Sequence, residues 1–354
     1  MEKKREKKKF KRRNLKFQNV NIDNLESFEA EEVIEEKRAA KKIAEKAETS
    51  RKSNLNMKKG RILEVKTNHV CLVEMGNKMI ECYLSGRLKQ LDYDTKRLVA
   101  VGDFVNVDFS AQPRIEEILP RRNILSRFSE DSFQIEAIIA SNLDQVIITT
   151  SVHEPEINLG LVDRYICAAR IAEINPIICV NKIDLAEDEE ELKKQMKFYL
   201  EDDIEVVFTS VVTGRGMPDL KKLLKNRISV FSGHSGAGKS SLINFLKPGL
   251  NLRVSEVSDF TSKGIHTTTS AKLIKWDFGG YLVDTPGLKT FGLHREDRSR
   301  IFRIFPGIDA LSGQCKYPDC NHDHEIGCAV KTALEIGAFP QERYRSYLRI
   351  INSL

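Results

Sequence analysis

Three short motifs occur in this chain in an order that restricts the fold more than any other feature. NKID, Asn181 to Asp184, has the form N-K-x-D. The loop GHSGAGKSS, Gly233 to Ser241, comes after it and satisfies G-x-x-x-x-G-K-S. DTPG, Asp284 to Gly287, comes last. The first form reads a guanine base, the second cradles phosphates, and the third closes the γ-phosphate end of the same site. In the usual arrangement the phosphate loop leads. Here the base-reading half leads, so the domain is circularly permuted. Its γ-phosphate-sensing end then runs directly into whatever lies C-terminal.

Each motif sits where its chemistry requires. The apolar ISVF precedes the loop and the helical SLINFL follows it, which places the loop between a strand and a helix N-terminus. Gly233, Gly236 and Gly238 let the backbone around His234, Ser235 and Ala237 turn its amides onto an anion. Lys239 is placed for the β- and γ-phosphates, Ser240 for Mg²⁺, and Ser241 continues into the helix. A glycine-rich turn without a ligand would not need these flanks.

Asn181 and Lys182 follow the strand IICV. Asp184 is placed to accept from guanine N1 and N2, and a buried carboxylate left unpaired there would reject adenine. Thr209 and Ser210 end the next strand, where they either complete the base pocket or mark a plain strand-to-loop transition. Asp284 ends the strand YLV and can hold Mg²⁺ through water, while the Gly287 amide can meet the γ-phosphate. Thr267, Thr268 and Thr269 in GIHTTTS offer a hydroxyl to the same ion, with Thr268 the first choice. Leu288 stands where many GTPases carry a glutamine that orients the attacking water. An apolar side chain cannot do so, which makes hydrolysis slow alone or dependent on another group. His266 is the nearest candidate, with a structural or nucleotide-stacking role as its alternative.

Upstream, from Met57 to Leu119, the pattern is of short β-like runs: GRILEV, HVCLVEM, KMIECYL, DFVNVDF and RIEEIL. Five strands in about 60 residues predict a small closed barrel of the oligonucleotide-binding type. Aromatic stacking partners are sparse in it, so nucleic-acid contact does not follow from these residues alone. From about Ile124 the apolar strands QVIITTSV, IICVN, EVVFTS and ISVFSG alternate with helical segments. That alternation predicts a doubly wound α/β sheet with ligand loops at its strand carboxyl ends. AKLIKW and GYLVDTPG complete it as a hairpin through Gly279 and Gly280. The divisions expected are a charged extension at 1–56, the barrel at 57–121, the permuted domain at 122–300 and a helical metal-binding domain at 301–354.

The charge is unevenly placed. The net is +6 over 354 residues, yet residues 1–16 alone hold ten Lys or Arg against Glu2 and Glu6. That +8 leaves about −2 for everything else. Such a block is either a solvated tail or an arm that contacts phosphate backbone. Residues 26–52 alternate Glu-rich and Lys-rich stretches and suit a lone charged helix. No run is apolar enough to span a membrane and no secretory signal is evident, so a cytoplasmic protein that does not engage membranes is expected.

Seven cysteines in this length do not form a disulfide framework, and three cluster near the C-terminus. Cys315, Cys320, His322 and Cys328 read C-x4-C-x-H-x5-C. Three thiolates and an imidazole make the closed set typical of structural Zn²⁺, one ion per chain; His324 is an alternative fourth ligand.

With motif order, barrel and cluster placed, the chain closely resembles the RsgA family, also called YjeQ or YloQ. The resemblance spans roughly residues 57–345. Its marks are NKID, TGRGM at Thr213 to Met217, FSGHSGAGKSSLIN, GIHTTT, DTPGL and the stretch from Cys315 to Val330. It implies an oligonucleotide-binding barrel, a permuted GTPase domain and a C-terminal zinc domain in one chain, taken to act as a monomer. It further implies a Mg²⁺-dependent GTPase that binds GTP and GDP, the alarmone (p)ppGpp, the 30S subunit and its 16S rRNA. The subunit stimulates a slow hydrolysis, and the protein assists late small-subunit maturation. Ile265 departs from the arginine common before the histidine, which puts switch contacts with RNA in doubt. Ile326 departs from the usual proline, a local turn change. Two other readings compete: a permuted GTPase of large-subunit assembly, and an RNA-binding module that uses nucleotide only for stability. The first lacks the barrel-plus-cluster pairing, and the intact Lys239, Ser240 and Asp284 weigh against the second.

Overall fold

The computed structural model describes residues 56–67, 69–90, 98–128, 135–252, 271–284 and 292–354. The basic extension before residue 56 lies outside them. The five upstream runs form strands β1 (Met57–Thr67), β2 (Val70–Met75), β3 (Lys78–Leu84), β4 (Phe104–Asp108) and β5 (Arg114–Ile118), with a one-turn helix α1 (Gly86–Gln90) after β3. They pair in the order β1-β2-β3-β5-β4, and β4 returns to β1, so the sheet closes on itself. Alternate residues point inward, and Ile62, Cys71, Val73, Cys82, Val105, Val107 and Ile115 fill the interior with no exposed surface.

Beyond the barrel, an antiparallel hairpin of β6 (Ile124–Phe128) and β7 (Ile135–Ser141) forms a separate two-stranded sheet. The five-strand and α/β patterns above do not include it. Asp103 ties barrel and hairpin together: its buried carboxylate accepts from Arg121 Nε at 2.6 Å and Nη2 at 2.7 Å, from Ser141 Oγ at 2.6 Å and from the Ala100 amide at 2.9 Å.

The α/β part runs β8 (Gln145–Ser151), α2 (Leu159–Ile171), β9 (Asn175–Asn181), α3 (Glu189–Glu201), β10 (Glu205–Phe208), α4 (Met217–Leu224), β11 (Ile228–Gly233) and α5 (Lys239–Leu246). The hairpin β12 (Lys272–Lys275) and β13 (Tyr281–Asp284) follows. Asn158 and Asp188 cap α2 and α3 by accepting first-turn amides, each worth about 1 kcal/mol. The strand order is β10-β9-β8-β11-β13-β12, parallel except for β12. The phosphate-loop strand β11 therefore lies at the centre, next to β13. β12 in turn pairs with β1 at Glu64↔Lys272, so one sheet runs from the nucleotide domain into the barrel.

Helices α6 (Arg298–Ile304), α7 (Asp309–Ser312), α8 (Ala329–Glu335) and α9 (Gln341–Asn352) complete the chain. They do not form a core of their own. Ile301, Phe305, Tyr347 and Ile350 belong to the same buried cluster as Ile166 and Tyr199 of the α/β part. At the centre of that seam Arg343 of α9 pairs with the fully buried Asp163 of α2, and Tyr199 OH donates to the same carboxylate oxygen at 2.8 Å. The guanidinium lies over the rings of Phe198, Tyr199 and Phe305.

Candidate nucleotide site and metal centre

The phosphate loop connects β11 to α5, and its glycines are there for space. Gly233 has φ 137°, and a Cβ on it would lie 2.0 Å from the Thr149 carbonyl oxygen of β8. Gly238 has φ 89°, and its Cβ would lie 2.2 Å from Asn181 Nδ2. Gly238 also caps α5 without any side-chain hydrogen bond, so the first-turn amides remain available to an anion. The Lys239 ammonium folds back over the loop, donating to the carbonyls of Gly233 at 2.9 Å and His234 at 2.7 Å. Burial lowers its pKa below the ordinary lysine value. An arriving phosphate would restore it, since opposite charge favours the ammonium.

The base-reading segment is fastened to this loop. Asn181 is buried at the end of β9; its Nδ2 donates to the Ala237 carbonyl at 3.0 Å, and its Oδ1 accepts from Thr209 Oγ1 at 3.2 Å. One amide side chain therefore joins N-K-x-D, the phosphate loop and the end of β10. Lys182 takes a left-handed conformation, φ 61°, and its ammonium donates to the carbonyls of His153 and Glu154. Asp184 follows on an exposed turn. Its carboxylate is not buried by the protein, so the penalty for lacking a partner arises only when a base covers it.

Thr209 and Ser210 are fully buried. The Ser210 hydroxyl accepts from the Thr213 amide at 3.1 Å, and its own amide donates to the Arg215 carbonyl at 3.0 Å, which fixes the loop that follows β10. Arg215 braces that loop from outside, forming a two-pronged pair with Glu189 at 2.5 and 2.6 Å.

Asp284 ends β13, one strand from the loop. Burial raises its carboxyl above the ordinary aspartate range, opposed by the nearby Lys272 ammonium. Asn181, Lys182, Asp184, Thr209, Ser210, Gly233 to Ser241 and Asp284 thus all lie at the carboxyl ends of adjacent strands. His266, Thr267, Thr268, Thr269, Gly287, Leu288 and Ile265 lie outside the described residues.

The cysteine cluster lies between α7 and α8. The Sγ atoms of Cys315, Cys320 and Cys328 and a ring nitrogen of His322 all fall within 4.8 Å of one another. Sulfur lies 3.5 Å (Cys315) and 3.4 Å (Cys328) from His322 Nδ1. A tetrahedron built on ordinary Zn–S and Zn–N lengths has edges of about 3.6–3.8 Å, so the donor set fits a zinc ion. Burial also holds His322 below the ordinary imidazole value, in the neutral form that can ligate. The cluster is fixed from behind by α9: Tyr344 OH donates to the His322 carbonyl and Tyr347 OH to the Asn321 carbonyl, both at 2.8 Å. His324 is not in the cluster; its side chain is 84% exposed.

No helix among the described residues is long and apolar enough to cross a membrane. Residues 118–294 match the family model described as RsgA GTPase. The chain is 36% identical over 278 residues to the small ribosomal subunit biogenesis GTPase RsgA of Bacteroides fragilis, covering 77% of this chain and 89% of that one. It is 39% identical over 270 residues to the protein of that name from Chlorobaculum parvum, covering 73% and 86%. Among solved structures, YjeQ from Thermotoga maritima superposes with a TM-score of 0.68 at 30% identity, covering 84% of this chain and 98% of that one. YloQ, described as a circularly permuted GTPase, gives 0.67 at 27% identity, covering 84% and 95%.

Proposed function

Because the chain belongs to the RsgA family of GTPases, we propose that it hydrolyses GTP on the small ribosomal subunit and assists late maturation of that subunit. The observation that carries the reading is the double anchorage of Asn181 to Ala237 and Thr209, which joins guanine recognition to phosphate binding in one rigid unit. Asp184 selects guanine, with Thr209 and Ser210 shaping the base pocket and Lys182 supporting its wall. The amides of Gly233 to Ser241 and the Lys239 ammonium hold the phosphates. The same surface would take GDP or (p)ppGpp, since both present guanine and a β-phosphate.

Mg²⁺, when bound, neutralises charge between the β- and γ-phosphates. Ser240, Thr268 and Asp284 are the groups that would hold it. Gly287 meets the γ-phosphate, and His266 orients the attacking water in place of the glutamine that Leu288 replaces. The zinc ion of Cys315, Cys320, His322 and Cys328 is structural. The barrel, of the oligonucleotide-binding type and divided from the GTPase domain near residue 121, and the zinc domain from residue 301, contact 16S rRNA. The protein works as a cytoplasmic monomer.

The test is steady-state turnover of GTP and ATP by the purified protein alone, with 30S and with 50S subunits. Turnover specific to GTP and accelerated by 30S is expected, starting from a slow basal rate on the order of 10⁻⁴ s⁻¹. Equal acceleration by 50S subunits would remove the small-subunit assignment, and Lys239→Ala must abolish turnover.

A further inference from the structure

The strand β12 ends the nucleotide sheet, and the barrel holds it by a lysine at each end. Lys275 Nζ donates to Glu74 Oε1 of β2 at 3.1 Å, and the same carboxylate accepts from Tyr281 OH of β13. At the other end Lys272 Nζ lies 2.9 Å from Glu64 Oε1 of β1. Lysines commonly blunt a free edge strand; here both are drawn into pairs across the seam.

The Lys272 end differs from the Lys275 end in what lies on its other side. Glu64 is register partner to Lys272, and Lys272 is register partner to Asp284. Three charged residues of alternating sign therefore stand in one row across β1, β12 and β13, all on the same face. Lys272 is within electrostatic reach of Asp284 as well as in contact with Glu64. An ammonium beside a carboxylate that must serve a divalent cation opposes that cation, both by occupying the carboxylate and by like-charge repulsion.

We propose that Glu64 and Lys272 are positioning residues for the Mg²⁺ carboxylate: the barrel's Glu64 draws the lysine charge away from Asp284 and leaves that carboxylate to the metal. This rests on Asp284 being a Mg²⁺ group, as read above. The barrel then tunes the nucleotide site without touching nucleotide. Loss of the Glu64 charge turns Lys272 from a neutralised bystander into a competitor of the ion.

The test is a Mg²⁺ titration of the full-length protein with two readouts, GTP turnover and, without any turnover, the Mg²⁺ dependence of its affinity for a fluorescent non-hydrolysable GTP analogue; each midpoint shift below is expected in both. Glu64→Gln keeps a hydrogen bond to Lys272 and loses the charge; it should raise the Mg²⁺ concentration at half-activity about three- to tenfold, with turnover at saturating Mg²⁺ unchanged. Lys272→Gln added to Glu64→Gln should return the midpoint to the wild-type value or below it. Lys272→Gln alone should lower the Mg²⁺ requirement, and since that side chain is half exposed it tests the idea even if Glu64→Gln folds poorly. Glu74→Gln loosens the same seam at the end away from Asp284 and should leave the midpoint in place. A Glu64→Gln midpoint equal to wild type, or equal shifts from Glu64→Gln and Glu74→Gln, would overturn the inference. If Asp284→Asn leaves the Mg²⁺ requirement unchanged, the reading of Asp284 itself fails; if it raises the requirement and Glu64→Gln does not, only the seam argument fails.

Discussion

Asn181 has the most consequential connections of any residue at the site. Its side chain is buried and uses both ends, so replacing it strands the Ala237 carbonyl and leaves the Thr209 hydroxyl only its longer contacts to the Val180 carbonyl at 3.5 Å and Cys179 Sγ at 3.4 Å. Each unsatisfied buried group costs about 1–3 kcal/mol. Asn181→Ala should therefore weaken GTP binding about 10- to 100-fold with the fold retained, measured by titration with a fluorescent GTP analogue. Near-normal affinity would show that the loop holds its shape without the bridge. Cysteines give a second residue-scale expectation. Burial pushes the Cys71 and Cys179 thiols up to about 12 and Cys82 to about 11, and raises Cys167 as well. At pH 8 these four are protonated, with a thiolate fraction on the order of 10⁻³ or less. Alkylation at pH 8, mapped by mass spectrometry, should leave them unmodified in the metal-loaded protein, whereas chelation should open Cys315, Cys320 and Cys328. Rapid labelling of Cys71 or Cys179 without denaturant would contradict the packing described. The motifs at this scale were legible because phosphate and guanine chemistry fix residue types at short spacing. That Asn181 joins two of them was not, since the bond spans 56 residues.

At the scale of elements, the join between α2 and α9 depends on an ion pair away from water. Arg343 and Asp163 are 3% and 0% exposed, so removing Asp163 leaves the arginine charge buried without its counter-ion. Asp163→Ala should cost about 3–5 kcal/mol, visible as a large drop in thermal midpoint, while an apolar replacement of both partners should cost much less. A small effect of the single change would mean that solvent reaches Arg343. The sequence reads 301–354 as a helical region, but an arginine in a helix ordinarily marks a solvated face. Only the three-dimensional neighbours, Phe198, Tyr199 and Phe305, show otherwise. The β6–β7 hairpin is missed for a related reason. Two short alternating runs specify neither their partner nor their sheet, whereas the continuous apolar runs of β8 and β9 suit only a strand covered on both faces.

At the scale of the molecule, the basic extension is the part of the sequence with the densest like charge, ten Lys or Arg within residues 1–16. It should add to ribosome binding through phosphate contacts that fade with salt, without choosing the site. Deleting residues 1–52 should weaken 30S association at low ionic strength and flatten its salt dependence, measured by sedimentation across a salt series. Stimulated turnover at saturating 30S should hardly change. Loss of stimulation at saturation would place the arm in the activation step instead. Barrel, α/β sheet and cysteine cluster were each legible from local pattern. That the barrel and the α/β part share one continuous sheet, and the α/β part and the C-terminal helices one core across residue 300, was not, because such contacts join positions that no short period relates.

The central place of β11 also has a consequence for how the protein is made. A ribosome extrudes β8, β9 and β10 before β11, yet β11 is the strand that separates β8 from β13. Until roughly two-thirds of the chain has emerged, the nascent sheet presents the unpaired backbone of β8 on the flank where β11 will insert. The barrel's β1 waits longer still for β12. Such long-range pairings fold slowly and leave open edges exposed to other chains. A chain that tends newly built ribosomes is therefore itself vulnerable while one is building it, and translation arrested between β10 and β11 should yield its most aggregation-prone fragment.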